Sequence, residues 1–267
     1  MEFINGNDGM KTNKDFHIEV KDKIPACSIL GVNIAAINMK WLSRFTLEHI
    51  TQLSGDYMCV SNVHTTIMAF EDKKYRDIQN NSILSIPDGG PLASLGRKRG
   101  WSNMYRTTGP SYMEKMLEAS SENNLTHFFY GSTPKTLRKL KKVIEKKYPG
   151  VHVVGMISPP FRPLTQNENE EIIEKINSLK PDFVWVGLGA PKQECWMAEH
   201  QWKITGFMVG VGAGFDYLAG NIRRAPKWMQ DHNLEWFYRL LQDPKRLFKR
   251  YFITNIKFIW NAYIMGK

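Results

Sequence analysis

The stretch Phe183-Val-Trp-Val-Gly187-Leu-Gly189-Ala-Pro191-Lys192-Gln193-Glu194 holds the fold in miniature. It opens as a continuous apolar run of β-branched and aromatic residues, the composition of a strand buried on both faces of a parallel sheet. Glycines end the run. Pro191 then stands where a helix should begin, because a first-turn residue needs no N–H, and helix-forming composition continues to residue 202. The same alternation extends in both directions. Apolar runs at 27–32, 56–60, 83–86, 127–130, 151–155 and 207–211 read as further strands, and 39–53, 63–80, 111–124, 134–148 and 167–179 as helices. Ser132-Thr133-Pro134 marks one helix start, and Thr165 with Glu168 forms a capping box at another. Such alternation predicts an α/β fold, doubly wound about a mainly parallel sheet, over residues 24–220. Ligands of these sheets bind at the carboxyl ends of the strands.

At 267 residues, 42% hydrophobic and 23% charged, the chain suits one large domain with an appendage, and wholesale disorder is excluded. Cys27, Cys59 and Cys195 lie far apart without a Cys-x-x-Cys pair. That argues against a disulfide framework or structural zinc and for a reducing compartment. Residues 1–23 are polar, mixed in charge and unlike a signal peptide, and are expected to extend outside the folded domain. The longest apolar candidate, 252–265, is broken by Asn255, Lys257 and Asn261 and falls short of the ~18 residues a span needs.

The net charge of +10 is concentrated late: residues 222–267 carry ten Lys and Arg against three acids. Such a segment attracts phosphates, whether of a nucleotide, a nucleic acid or an anionic membrane. Within 221–267, Asp243-Pro244 opens a last helix on which Phe248, Phe252, Ile256, Ile259 and Tyr263 recur at three- and four-residue spacing, with Arg246, Arg250 and Lys257 roughly opposite. Two readings stay open. The stripe lies in a membrane interface, or it packs on the α/β domain.

Loops at strand ends hold the residues able to carry chemistry. In Ile86-Pro-Asp88-Gly89-Gly-Pro91, Asp88 leaves a buried strand at its carboxyl end, and the flanking glycines admit a ligand close to the backbone. A partly desolvated carboxylate there suits a general base. In Gly187-Leu-Gly189-Ala-Pro-Lys192-Gln193, the helix start offers N–H groups to an anion. Gly210-Val-Gly212-Ala-Gly214-Phe215-Asp216 resembles a dinucleotide fingerprint, but Phe215 takes the place of its last glycine, which weakens an oxidoreductase reading. No His pair at metal-ligand spacing and no Asp-x-Asp is present, so a metal-held diphosphate has no evident anchor.

Taken together, Ile86-Pro-Asp-Gly-Gly90, Arg106-Thr-Thr-Gly-Pro110, Leu188-Gly-Ala-Pro-Lys-Gln-Glu194, Gly212-Ala-Gly-Phe-Asp216, Ala219-Gly-Asn-Ile-Arg-Arg-Ala-Pro226 and Leu234-Glu-Trp-Phe-Tyr-Arg-Leu240 occur in an order that resembles WecG/TagA/CpsF-type bacterial glycosyltransferases, glycosyltransferase family 26. The resemblance implies a Rossmann-like core, a basic helical appendage, and inverting, metal-independent transfer without a cofactor. It also implies a UDP-sugar donor, a polyprenyl-diphosphate-linked glycan acceptor, and a peripheral location on the inner face of the cytoplasmic membrane. The polymers such enzymes feed include teichoic acid, capsule and exopolysaccharide. Homo-oligomerisation stays open. By the same resemblance Asp88 falls on the base, and Asn62, Arg106, Gln193, Arg239, Arg246 and Lys249 on substrate-binding positions. Gly89, Thr108, Gly131, Gly189, Lys192 and Asp216 complete the expected set. Val60, His64, Ser111 and Ser158-Pro-Pro-Phe-Arg162 depart from the usual pattern, so the donor sugar stays unassigned. A nucleic-acid-binding protein using the basic tail is the rival reading, and it leaves the Asp88 and Gln193 loops without a role.

Overall fold

The computed structural model describes residues 12–232 and 234–266, the side chains of Asp231, Arg246 and Arg250 excepted. Eight strands form one sheet: β1 (Ala26–Ile29), β2 (Val32–Ala35), β3 (Tyr57–Ser61), β4 (Leu84–Pro87), β5 (Thr126–Gly131), β6 (His152–Ile157), β7 (Phe183–Gly187) and β8 (Phe207–Gly210). Their order is β1-β2-β4-β3-β8-β7-β5-β6, with β1 antiparallel to β2 and the other pairs parallel. The expected α/β fold is therefore present. The chain steps from β3 to its neighbour β4 and then crosses to β5 on the other side of β3, which opens a crevice at these carboxyl ends.

The helices are α1 (Asn13–Lys21), α2 (Met39–His49), α3 (Val63–Glu71), α4 (Lys73–Asn81), α5 (Gly90–Lys98), α6 (Gly109–Asn123) and α7 (Pro134–Lys147). They continue with α8 (Gln166–Leu179), α9 (Lys192–Glu199), α10 (Gly214–Leu218), α11 (Lys227–Asp231), α12 (Glu235–Gln242) and α13 (Pro244–Phe258), the last extended by a π-helical turn, Ile259–Ile264. Apolar residues fill both sheet faces. Met58, Phe129, Trp185 and Val209 lie on one side, and Tyr57, Phe128, Val184 and Met208 on the other. This two-sided burial is why the strands read as unbroken apolar runs.

Several expectations change in detail. The run 27–32 is a hairpin, because Leu30 and Gly31 adopt φ of 53° and 82°, the left-handed pair of a tight turn. The helix expected at 63–80 divides at Asp72, whose carboxylate accepts from the amides of Lys74 at 2.8 Å and Tyr75 at 3.3 Å and so starts α4. The supposed extension is helical from Asn13: Thr12 and Asp15 form a capping box, and His17 Nδ1 lies 2.5 Å from the buried Asp56 carboxylate. Phe215 is fully buried, and its ring lies where a Cβ on Gly187 would stand. It is a core residue, so the dinucleotide fingerprint is not completed there.

The last helix resolves the two readings of its apolar stripe in an unexpected way. α13 packs on the domain, but through Leu247, Thr254, Phe258 and Ala262, the last two joining Ile29, Ile34 and Ile67 in one cluster. Phe248, Phe252, Ile256 and Ile259 stay 53–59% exposed, whereas Tyr263, 40% exposed, meets the buried Phe258 edge-on at 6.1 Å. Lys257, expected on a free basic face, pairs with Glu71 at the end of α3.

Candidate active site

The site is built at the carboxyl ends of β3, β4, β7 and β8. Asp88 directly follows β4, and its amide donates to the Ser61 carbonyl at 2.8 Å, pinning the loop to the end of β3. Asn62 comes next on β3 and caps α3, its Oδ1 accepting from His64 N at 3.0 Å and Thr65 N at 3.2 Å. A Cβ on Gly89 would lie 3.6 Å from the Asn62 Cα, so these two loops touch.

Arg106 closes the same corner. Its Nε donates to the Asp88 carbonyl at 3.1 Å, and its Nη2 pairs with the Glu235 carboxylate from the start of α12. One turn further along α12, the Arg239 guanidinium lies 5.2 Å from the ring centre of Tyr217, and Arg224 lies 5.9 Å from that ring. Asp88 is pushed up to about 6, chiefly by burial. Arg106 counters the shift, the Glu235 charge adds to it, and Arg239 and Arg224 oppose it. Such a carboxylate is ionised at neutral pH yet basic enough to take a proton.

The neighbouring glycine loops are braced from below by Gln193. Its Oε1 accepts from Gly212 N at 3.0 Å and Gly189 N at 3.2 Å, while its Nε2 donates to Glu194 Oε1 at 2.8 Å and Gly210 O at 3.3 Å. Gln193 is thus buried and committed on both sides of its amide, so it shapes the site rather than presenting a free group. Gly189, at φ 78°, has open space where a side chain would be. Gly131 is a glycine for a different reason: at φ 123°, an added Cβ would stand 2.6 Å from the Gly187 backbone.

Of the expected residues, Asp88, Gly89, Asn62, Arg106 and Arg239 converge, with Gly189 and Gln193 in the adjoining loop. Thr108 caps α6, accepting from Ser111 N at 3.2 Å. Asp216 holds α10 in place, accepting from Asn221 Nδ2 at 2.9 Å and Thr136 Oγ1 at 3.3 Å. Lys192 and Lys249 are exposed on α9 and α13. The Arg246 side chain lies outside the described residues. Sequence reasoning passed over Glu235, Tyr217 and Arg224. The signal for Glu235 was present, since it stands four residues before Arg239 in one motif and four is the spacing of a shared helix face.

The chain is similar along most of its length to known proteins. A family model described as the glycosyl transferase WecG/TagA/CpsF family matches residues 27–266. An N-acetylglucosaminyldiphosphoundecaprenol N-acetyl-beta-D-mannosaminyltransferase of Bacillus subtilis (strain 168) is 28% identical over 200 residues, 74% of this chain and 76% of that protein. A protein of the same name from Staphylococcus aureus (strain MW2) is 27% identical over 237 residues, 86% of this chain and 90% of its own. With a doubly wound sheet and a family match that runs from residue 27 through the last helix to residue 266, the chain belongs to the WecG/TagA/CpsF family of glycosyltransferases.

Proposed function

We propose that this enzyme transfers a sugar from a UDP-sugar to a hydroxyl of a polyprenyl-diphosphate-linked sugar, with inversion and with Asp88 as general base. The observation that carries the reading is Asp88 itself, a partly buried carboxylate at a strand end, raised to about 6 and ringed by Arg106, Arg224 and Arg239. The acceptor oxygen attacks the anomeric carbon and gives its proton to Asp88, while the bond from that carbon to the diphosphate oxygen breaks. The departing UDP gains charge, and Arg239, with Arg224 from its pair with Glu114, lies close enough to Asp88 to meet it without a bridging metal. The names of the relatives supply the acceptor class, and Val60, His64 and Ser111 leave the donor sugar open.

The appendage supports a peripheral attachment to an anionic bilayer. No described helix is long and apolar enough to cross a membrane. The exposed aromatic stripe of α13, continued on α12 by Trp236, Phe237 and Leu241, has the composition of a surface that lies in an interface. The deciding experiment is turnover by Asp88→Asn with UDP affinity measured alongside. Loss of general-base help removes about 10²–10⁴-fold in rate while UDP binding persists. Near-normal turnover would dismiss Asp88 from the mechanism, and activity abolished by EDTA and restored by Mg²⁺ would dismiss the metal-free leaving group.

A further inference from the structure

An acid in the first turn of a helix is ordinarily explained by the helix dipole, and such an acid sits in solvent. Glu235 does not. Its side chain is 19% exposed, that of Arg106 is 22%, and the two pair across 129 residues of sequence. Taking both charges out of water is unfavourable unless the geometry returns it through further hydrogen bonds. Here it does, because the guanidinium also donates Nε to the Asp88 carbonyl at 3.1 Å. A planar fork holds its donors in a fixed geometry toward two acceptors, whereas the three donors of a lysine ammonium rotate on a flexible stem and fix neither direction.

We propose that Glu235 is a positioning residue of the transfer reaction: its carboxylate holds Arg106 against the Asp88 backbone, and this clamp sets α12, and with it Arg239, across the mouth of the site. The spacing of α12 enforces the second half of the statement. Glu235 and Arg239 are four residues apart and share a helix face, so fixing one aims the other. The helix is then held at both ends of the crevice, by Arg106 on the β4 side and by the Tyr217 ring on the β8 side. No side chain caps the start of α12; there the backbone alone joins it to α11, Leu234 N donating to Met229 O at 2.7 Å, and the Arg106 pair is its tie to the site. Asp88 is faced by Arg106 from the loop before α6, Glu235 and Arg239 from α12, Arg224 from the loop before α11, and Tyr217 from α10. Glu235 is the anion of that group. Removing its charge therefore favours the ionised form of Asp88 and moves the acid limb of activity to lower pH.

The inference rests on the transfer reaction proposed above, and its test separates the two. Full-length wild type and Glu235→Gln are assayed from pH 5 to 9 with UDP-N-acetylmannosamine and UDP-N-acetylglucosamine and a short-chain prenyl-diphosphate N-acetylglucosamine acceptor. Amide hydrogen exchange is followed in both proteins. Glu235→Gln keeps its donor KM within about threefold, loses about ten- to a hundredfold in kcat, and moves the acid limb of kcat/KM down by about half a pH unit. Exchange rises together in 84–90 and 235–242 and stays unchanged in β7. A merely structural ion pair leaves kcat near its wild-type value, because Arg239 keeps its place, even as the acid limb moves with the lost charge. An unchanged profile and unchanged exchange in an active enzyme overturn the clamp. Raised exchange in both segments of Glu235→Gln, beside a wild type inactive with either donor, upholds the clamp and sinks the transfer reading instead. Should Glu235→Gln fail to fold, Arg106→Lys tests the clamp by exchange: it keeps both charges and loses the fork, so exchange rises in 84–90 and 235–242 while the acid limb stays in place, and unchanged exchange overturns the clamp.

Discussion

The Asp88 carboxyl is worse solvated in the folded protein than in the unfolded chain, and that single fact has two measurable sides. Its raised value of about 6 means that the carboxyl is ionised above that pH, so with Asp88 as the proposed base kcat/KM is expected to fall as pH drops through about 6. The same shift opposes folding. Below the unfolded carboxylate value the group is neutral in both states and makes no difference; as pH rises toward 6 the unfolded chain gains an ionisation that the fold resists. Asp88→Asn is therefore expected to unfold at a higher temperature than wild type at pH 8, by no more than ~2 kcal/mol for a partly exposed group, with the gain gone by pH 4. Thermal melts at both pH values check this, and equal melting points at pH 8 would contradict the burial argument. Asp88 was legible in the sequence because a strand end and paired glycines announce it. Glu235 was legible only as a helix-face neighbour of Arg239, because nothing local distinguishes an acid that meets Arg106 from one that meets water.

At the scale of the element, α13 shows how far periodicity can be trusted. The sequence pattern correctly found an apolar stripe, but a helix with two apolar faces has two stripes, and the larger side chains advertise the wrong one as the packing face. The true packing residues, Leu247, Thr254, Phe258 and Ala262, include a threonine and an alanine that hydropathy passes over. Cutting the chain before Asp243 would strip Phe258 from its cluster and confuse folding with attachment. Phe252→Asp combined with Ile256→Asp avoids this, because both side chains are more than half exposed. The pair is expected to leave the melting point within about 2 °C and to weaken binding to phosphatidylglycerol vesicles at least about tenfold. Retention of full vesicle binding would refute the interfacial surface. The hairpin at Leu30-Gly31 and the break at Asp72 were missed for a related reason: turn and cap geometry overrode a hydrophobic period that ran straight through them.

The molecule as a whole was the easiest thing to read, since strands buried on both faces and separated by capped helices admit few arrangements. Its interior does hold one titrating group that the pattern could not reveal. His127 is fully buried in β5, and Trp185 Nε1 donates to its Nδ1 at 3.0 Å while its Nε2 lies 2.6 Å from Ser120 Oγ. An indole only donates, so the ring is neutral with its proton on Nε2. Burial, with a smaller contribution from His152, pulls it down to about 3. Its stabilising effect is complete above the unfolded value near 6.5 and declines as pH falls toward 3, by about 1.4 kcal/mol per pH unit. Urea midpoints at pH 7 and pH 5 test this, the expected result being a smaller drop for His127→Gln than for wild type, and an equal drop would refute it. The placement of α13 has a last consequence. The helix starts beside α12, where Trp236 meets Tyr251, and reaches the far end of α3 at Glu71, while α3 itself begins at Asn62 in the site. Were the exposed stripe to lie in a bilayer as proposed, α13, about 22 Å long, would act as a ruler: it would hold Asp88 at a fixed height above the lipid and select acceptors whose hydroxyl reaches that height.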